Sequence, residues 1–91
     1  MSNERWHLMI NGNVQGVSYR AAAQSEAEKL HINGFAKNLS DGRVEVVAEG
    51  NPDSLEQFVD WCWEGSPAAE VEDVKIDKNQ ATGEFAKFST Y

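Results

Sequence analysis

The sequence predicts an α+β fold, an antiparallel sheet with two helices on one face. Three observations point there. Period-two apolar alternations and two segments of helical apolar spacing follow one another in the order strand, helix, strand, strand, helix, strand, with one short strand at the end. Turn signals such as "NG", "SDG" and "GSP" punctuate them. The chain has 91 residues, 41% apolar and 25% charged, which suits a single domain over residues 1–91 with one modest core.

The first strand is read from Trp6, Leu8 and Ile10, which alternate with Arg5, His7 and Met9. A loop from Asn11 to Val17 leads to a helix from Tyr19. In that helix Ala22, Ala23, Ala27 and Leu30 recur at helical spacing, and Gln24, Glu26, Glu28 and Lys29 are free to face water. Asn33-Gly34 reads as a stop and turn, Phe35 to Asn38 as a short strand, and Ser40-Asp41-Gly42 as a hairpin turn. The next strand sets Val44, Val46 and Ala48 on one side and Glu45, Val47 and Glu49 on the other. Asn51 can cap a second helix, with Pro52 at its first position and Leu55, Phe58, Val59 and Cys62 as its buried stripe, ended by Gly65 and Pro67. Val71, Val74 and Ile76 suggest another strand, Asn79 to Gly83 a turn, and Phe85 to Thr90 the last strand. This order is that of a ferredoxin-like split βαβ sandwich, βαββαβ plus a short C-terminal strand.

Composition narrows the function. The single cysteine, Cys62, rules out an internal disulfide, and its neighbours Trp61 and Trp63 mark it as a packing residue. No apolar run reaches transmembrane length, and "MSNERW" lacks the apolar stretch of a signal peptide, so a cytoplasmic location and no membrane partner are expected. A net charge of −7 argues against nucleic acid as a partner. The charge is uneven: residues 1–43 hold five basic and four acidic side chains, the rest three and eleven. The first half is thus the one that tolerates an anion.

That half contains "INGNVQGVSYR", where an apolar alternation runs into a loop with Gly12 and Gly16, and Arg20 stands at the start of a helix. Glycines permit positive φ, and a loop with its amides turned inward forms an anion nest, to which a helix N-terminus adds positive partial charge. A guanidinium there forks onto two phosphate oxygens. The spacing is neither a Walker loop nor a dinucleotide fingerprint. The competing reading is that Arg20 pairs with a carboxylate and the glycines merely turn the chain.

The stretch "GNVQGVSYR" (Gly12 to Arg20) resembles the signature of the acylphosphatase family, Gly-x-Val-Gln-Gly-Val-x-Phe/Tyr-Arg. A second family motif, Gly-aromatic-x-x-Asn, stands as "GFAKN" (Gly34 to Asn38), followed by "DGRVEVVAEG" and an aromatic ending, "EFAKFSTY". The resemblance spans nearly the whole chain. It implies hydrolysis of acyl phosphates to carboxylate and phosphate without a metal or other cofactor. It also implies that Arg20 binds the phosphoryl group, that Asn38 holds the attacking water, and that the backbone of Gln15, Gly16, Val17, Ser18 and Tyr19 cradles phosphate oxygens. Inorganic phosphate would be product and inhibitor. Asn13 departs from the pattern, standing where many members carry a basic residue, which bears on the charge at the mouth of the site.

The chemistry is consistent without a base. A carboxylate of low pKa leaves unaided, and phosphoryl transfer depends on positioning and electrostatics. His7 and His31 are read as structural, and the pairs Glu26/Glu28 and Glu70/Glu72 as solvated. No metal-ligand spacing occurs. The alternative from another class is a non-catalytic anion- or metabolite-binding module on the same fold. An RNA-binding sheet is disfavoured by the charge and by the lack of exposed aromatics in "RVEVVAEG". The expected state is a monomer. The acyl group of the physiological substrate is not encoded in any motif.

Overall fold

The computed structural model describes residues 2–91. Its elements are β1 (Glu4–Asn13), α1 (Tyr19–Lys29), β2 (Asn33–Asn38), β3 (Val44–Gly50), α2 (Pro52–Glu64), β4 (Glu70–Gln80) and β5 (Phe88–Thr90). The strands form one five-stranded sheet in the order β4-β1-β3-β2-β5. β1 lies between β3 and β4 and pairs antiparallel with both, and β2 pairs antiparallel with β3. β5 runs parallel to β2, with Ala36 opposite Thr90. The sheet is therefore mixed at this edge rather than wholly antiparallel. Residues 81–87 carry the chain from one edge of the sheet to the other, so β5 enters in the direction of β2.

Alternation decides which side is core. Trp6, Leu8 and Ile10 of β1, Val44, Val46 and Ala48 of β3, and Ala36 of β2 are buried with Leu55, Phe58, Val59 and Cys62 of α2. α1 contributes Tyr19, Ala23 and Ala27, one residue per turn, and two of the three are alanines, so the helix lies close to the sheet. Asn51 caps α2 as expected: its side chain accepts a hydrogen bond from the Ser54 amide at 3.0 Å, with Pro52 at the first position. His7 lies on the face away from the helices, 2.8 Å from the Glu45 carboxylate.

Three local expectations are corrected. Asn33 and Gly34 do not end α1. They lie within β2, and the left-handed residue that turns the chain after the helix is His31 (φ 58°). β1 continues to Asn13 through what reads as loop, because a register shift at Asn11/Gly12 lets it stay paired with β4. That shift also explains why Val71 and Val74, three residues apart, both pack against the core. Gly12 sits at the shift with φ 129°, and a Cβ there would come within 2.1 Å of the Glu70 carbonyl oxygen. Only glycine fits. Phe85 belongs to no strand. It packs edge-on against Phe35, with ring centroids 6.0 Å apart.

Candidate active site

A polar cleft of about 400 Å³ opens where β1 hands over to α1. It is lined by Val14, Gly16, Ser18, Tyr19, Arg20 and Ala21 from one stretch of chain, and by Asn38 and Thr90 from the ends of β2 and β5. The two motifs, separated in sequence by most of α1 and the turn after it, thus meet on one surface.

The loop backbone is built for an anion. Gly16 (φ 72°) and Ser18 (φ 63°) are both left-handed, with Val17 between them. For serine this conformation is uncommon and costs energy that the surroundings must offset. It turns successive amides to one side, which makes a nest. Ser18 occupies the cap position of α1 but makes no side-chain cap bond. The amides of Gly16 through Ala21 have no hydrogen-bond partner among the described residues; the first amide to be satisfied is that of Ala22, on the Ser18 carbonyl at 3.1 Å. Free amides at a helix start carry the positive end of the helix dipole.

Among the described residues, Arg20 is the only charged one in the lining. It forms no ion pair with a side-chain carboxylate among the described residues. Its Nη1 donates to the main-chain oxygen of Tyr91, which fixes one edge of the guanidinium and leaves its other N–H groups for a ligand. Asn38 is half-buried, and its Oδ1 is fully buried with no hydrogen-bond partner. Such an acceptor costs about 1–3 kcal/mol.

Tyr19 presents only its backbone to the cleft. Its ring is buried against Trp61, and its hydroxyl donates to the Cys62 carbonyl at 2.7 Å. Burial, first, and then the neighbouring Cys62 push the phenol far above its ordinary range. Burial likewise raises the Cys62 thiol to about 12, in keeping with a packing residue. Gln15 and Val17, expected in the cradle, do not line the cleft. The Gln15 Nε2 donates to the carbonyls of Leu39 (2.7 Å) and Arg43 (3.0 Å), across the β2–β3 turn. The Val17 carbonyl accepts from the buried Ser66 hydroxyl at 2.7 Å. Both ties hold the loop from outside. Ser66 and Thr90 carry no motif, and only three-dimensional proximity reveals them. Among the described residues no group of three His, Cys, Asp or Glu comes together.

A two-layer α+β sandwich with unpaired amides at the start of its first helix, and with an arginine and an asparagine lining the same cleft, defines a compact anion-handling protein. The acylphosphatase family model matches residues 6–90, and the chain belongs to that family. It is 47% identical over 90 residues to an acylphosphatase of Marinobacter nauticus, covering 99% of this chain and 98% of that one. It is 43% identical to one of Pelotomaculum thermopropionicum, covering 97% and 96%. Among solved structures, the acylphosphatase from Bacillus subtilis superposes with a TM-score of 0.94 at 35% identity, covering 97% of this chain and 98% of that chain.

Proposed function

We propose that the cleft hydrolyses the carboxyl–phosphate bond of acyl phosphates, with Arg20 and the loop amides binding the phosphoryl group and Asn38 orienting the water. The observation that carries this reading is that Arg20, Asn38 and loop residues with unpaired amides line one cleft. A simple anion binder needs the amides and the guanidinium alone, whereas a neutral carboxamide beside them can hold water without becoming charged.

The phosphoryl oxygens rest on the amides of Gly16, Ser18, Tyr19, Arg20 and Ala21 and on the guanidinium. Water held by the Asn38 carboxamide presents a lone pair to phosphorus. The new O–P bond forms as the bond from phosphorus to the acyl oxygen breaks. The electron pair leaves on the carboxylate, and the water's proton passes to a phosphate oxygen. Charge in the loose transition state spreads over equatorial oxygens that already face donors. No group of the lining has to ionise. The cradle holds the same contacts with free phosphate, which makes the product a competitive inhibitor. No helix among the described residues is long and apolar enough to cross a membrane. We take the protein to be a cytoplasmic monomer of a single domain, acting without a metal.

The test is turnover of acetyl phosphate or benzoyl phosphate in EDTA, beside a simple phosphomonoester. The acyl phosphates are expected to be cleaved, with competitive inhibition by phosphate, and the ester, whose alkoxide leaves poorly, to remain intact. Stoichiometric phosphate binding without turnover would instead establish a non-catalytic binding module.

A further inference from the structure

We infer that Gln15 is a positioning residue, a strut that sets the distance between the phosphate cradle and the water held by Asn38. The inference rests on the proposed role of Asn38 and goes beyond it.

Cradle and carboxamide belong to different parts of the chain, and only their relative placement makes a site. Asn38 is the last residue of β2, and Leu39 follows it directly. The turn that begins there is closed by the Leu39 amide on the Arg43 carbonyl (2.8 Å) and by the Gly42 amide on the Leu39 carbonyl (3.2 Å). Gln15, in the cradle loop, places one nitrogen between the carbonyls of Leu39 and Arg43, at 2.7 and 3.0 Å. A primary carboxamide has two N–H donors, and both are used. The tie thus spans the mouth of the hairpin, fixing the residue next to Asn38 relative to the residue next to Gly16. Ser66 tethers the same loop to the end of α2, not to β2, and cannot replace it. Gln15 touches neither phosphate nor water. It acts on the angle and separation at which water meets phosphorus, where a shift of about 1 Å costs on the order of a hundredfold in rate.

The experiment is steady-state hydrolysis of acetyl phosphate by Gln15→Met, which keeps the length and loses both donors, alone and combined with Asn38→Ala. The expected result is a fall in kcat of roughly ten- to a hundredfold, with the inhibition constant for inorganic phosphate within about twofold of the parent. In the Asn38→Ala background the same change should lower kcat no further, since nothing remains to be positioned. Gln15→Asn, one methylene short, should show the same split, and serves if the methionine variant fails to fold. The inference is overturned by an undiminished kcat, by a loss of phosphate binding matching the loss of kcat, or by full additivity with Asn38→Ala. Undiminished turnover by Asn38→Ala alone would overturn both the role of Asn38 and this inference; a silent Gln15→Met beside an inactive Asn38→Ala would overturn only the inference.

Discussion

Two irregular segments of this molecule turn backbone amides inward, and they end differently. In residues 81–84 the amides of Thr82 and Gly83 donate to the buried carboxylate of Glu49, at 2.8 and 3.1 Å, and the Thr82 hydroxyl adds a third bond at 3.0 Å. In residues 16–21 the amides have no hydrogen-bond partner among the described residues. The first segment closes on an anion supplied by β3 and is a structural clamp. The second lacks one and has an arginine in its place. The same backbone chemistry therefore gives stability or binding according to whether a side-chain carboxylate is supplied.

Replacing the arginine should sharpen that contrast most. Arg20→Lys retains the charge but loses the fork, so kcat/KM for acetyl phosphate is expected to fall by a hundredfold or more. Activity near that of the parent would show that a point charge suffices. Asn38→Ala should lower kcat on the order of a hundredfold while phosphate still binds, a pattern read from kcat and the phosphate inhibition constant together. It should also raise Tm. Deleting a buried acceptor that has no partner removes a cost of about 1–3 kcal/mol, and each kcal/mol moves Tm by roughly 4–8 °C in a domain of this size. A lowered Tm would mean that Asn38 is held for the fold.

The filled segment should respond in the opposite sense. Glu49→Gln keeps the shape of the side chain but sets an NH₂ group against an amide donor, and is expected to cost about 1–3 kcal/mol in denaturant unfolding with kcat within about twofold of the parent. A large loss of kcat with unchanged stability would place Glu49 in the site instead. Beside it, the Arg5 hydrogen bond first, and then the Thr82 hydroxyl, hold the Glu84 carboxyl below its ordinary pKa of 4.5. A depressed carboxyl stabilises the fold above its unfolded pKa, and that contribution is lost as pH falls through the folded value. Glu84 is fully exposed, so acid should loosen this segment only slightly.

The parts of this fold that sequence revealed are those governed by period and by local chemistry. β1, β3 and α2 follow from apolar spacing, and the α2 cap from Asn51-Pro52. Arg20 and Asn38 stood out as candidates because each lies in a motif that resembles a family signature, while spacing alone left their roles open. What was hidden depends on partners far away in the chain. β5 is three residues long, too short for periodicity to give its direction. Phe85 looks like strand and is instead a plug against Phe35, in a segment whose conformation Glu49 dictates from 33 residues away. Gln15 was placed in the cradle by its neighbours, yet its side chain finds acceptors 24 and 28 residues on. Ser66 follows a helix-ending glycine and reads as part of a turn until the Val17 carbonyl is seen above it.

Ser66 gives the smallest and most selective test of the difference between the two segments. Its hydroxyl is buried, 4% exposed, and donates to the carbonyl of the residue between the two left-handed positions of the nest. Holding that carbonyl outward keeps the flanking amides inward. Ser66→Ala removes one net hydrogen bond of about 1 kcal/mol, and if the bond serves the nest, that loss appears as roughly a fivefold weaker inhibition by phosphate. The value of kcat at saturating acetyl phosphate should stay within about twofold, because the Gln15 tie to Leu39, next to Asn38, is untouched. The opposite pattern, intact phosphate inhibition with a lower Tm, would make the Ser66 bond a fastening of the fold alone, and the nest would then owe its shape to Gly16 and Ser18 without outside support.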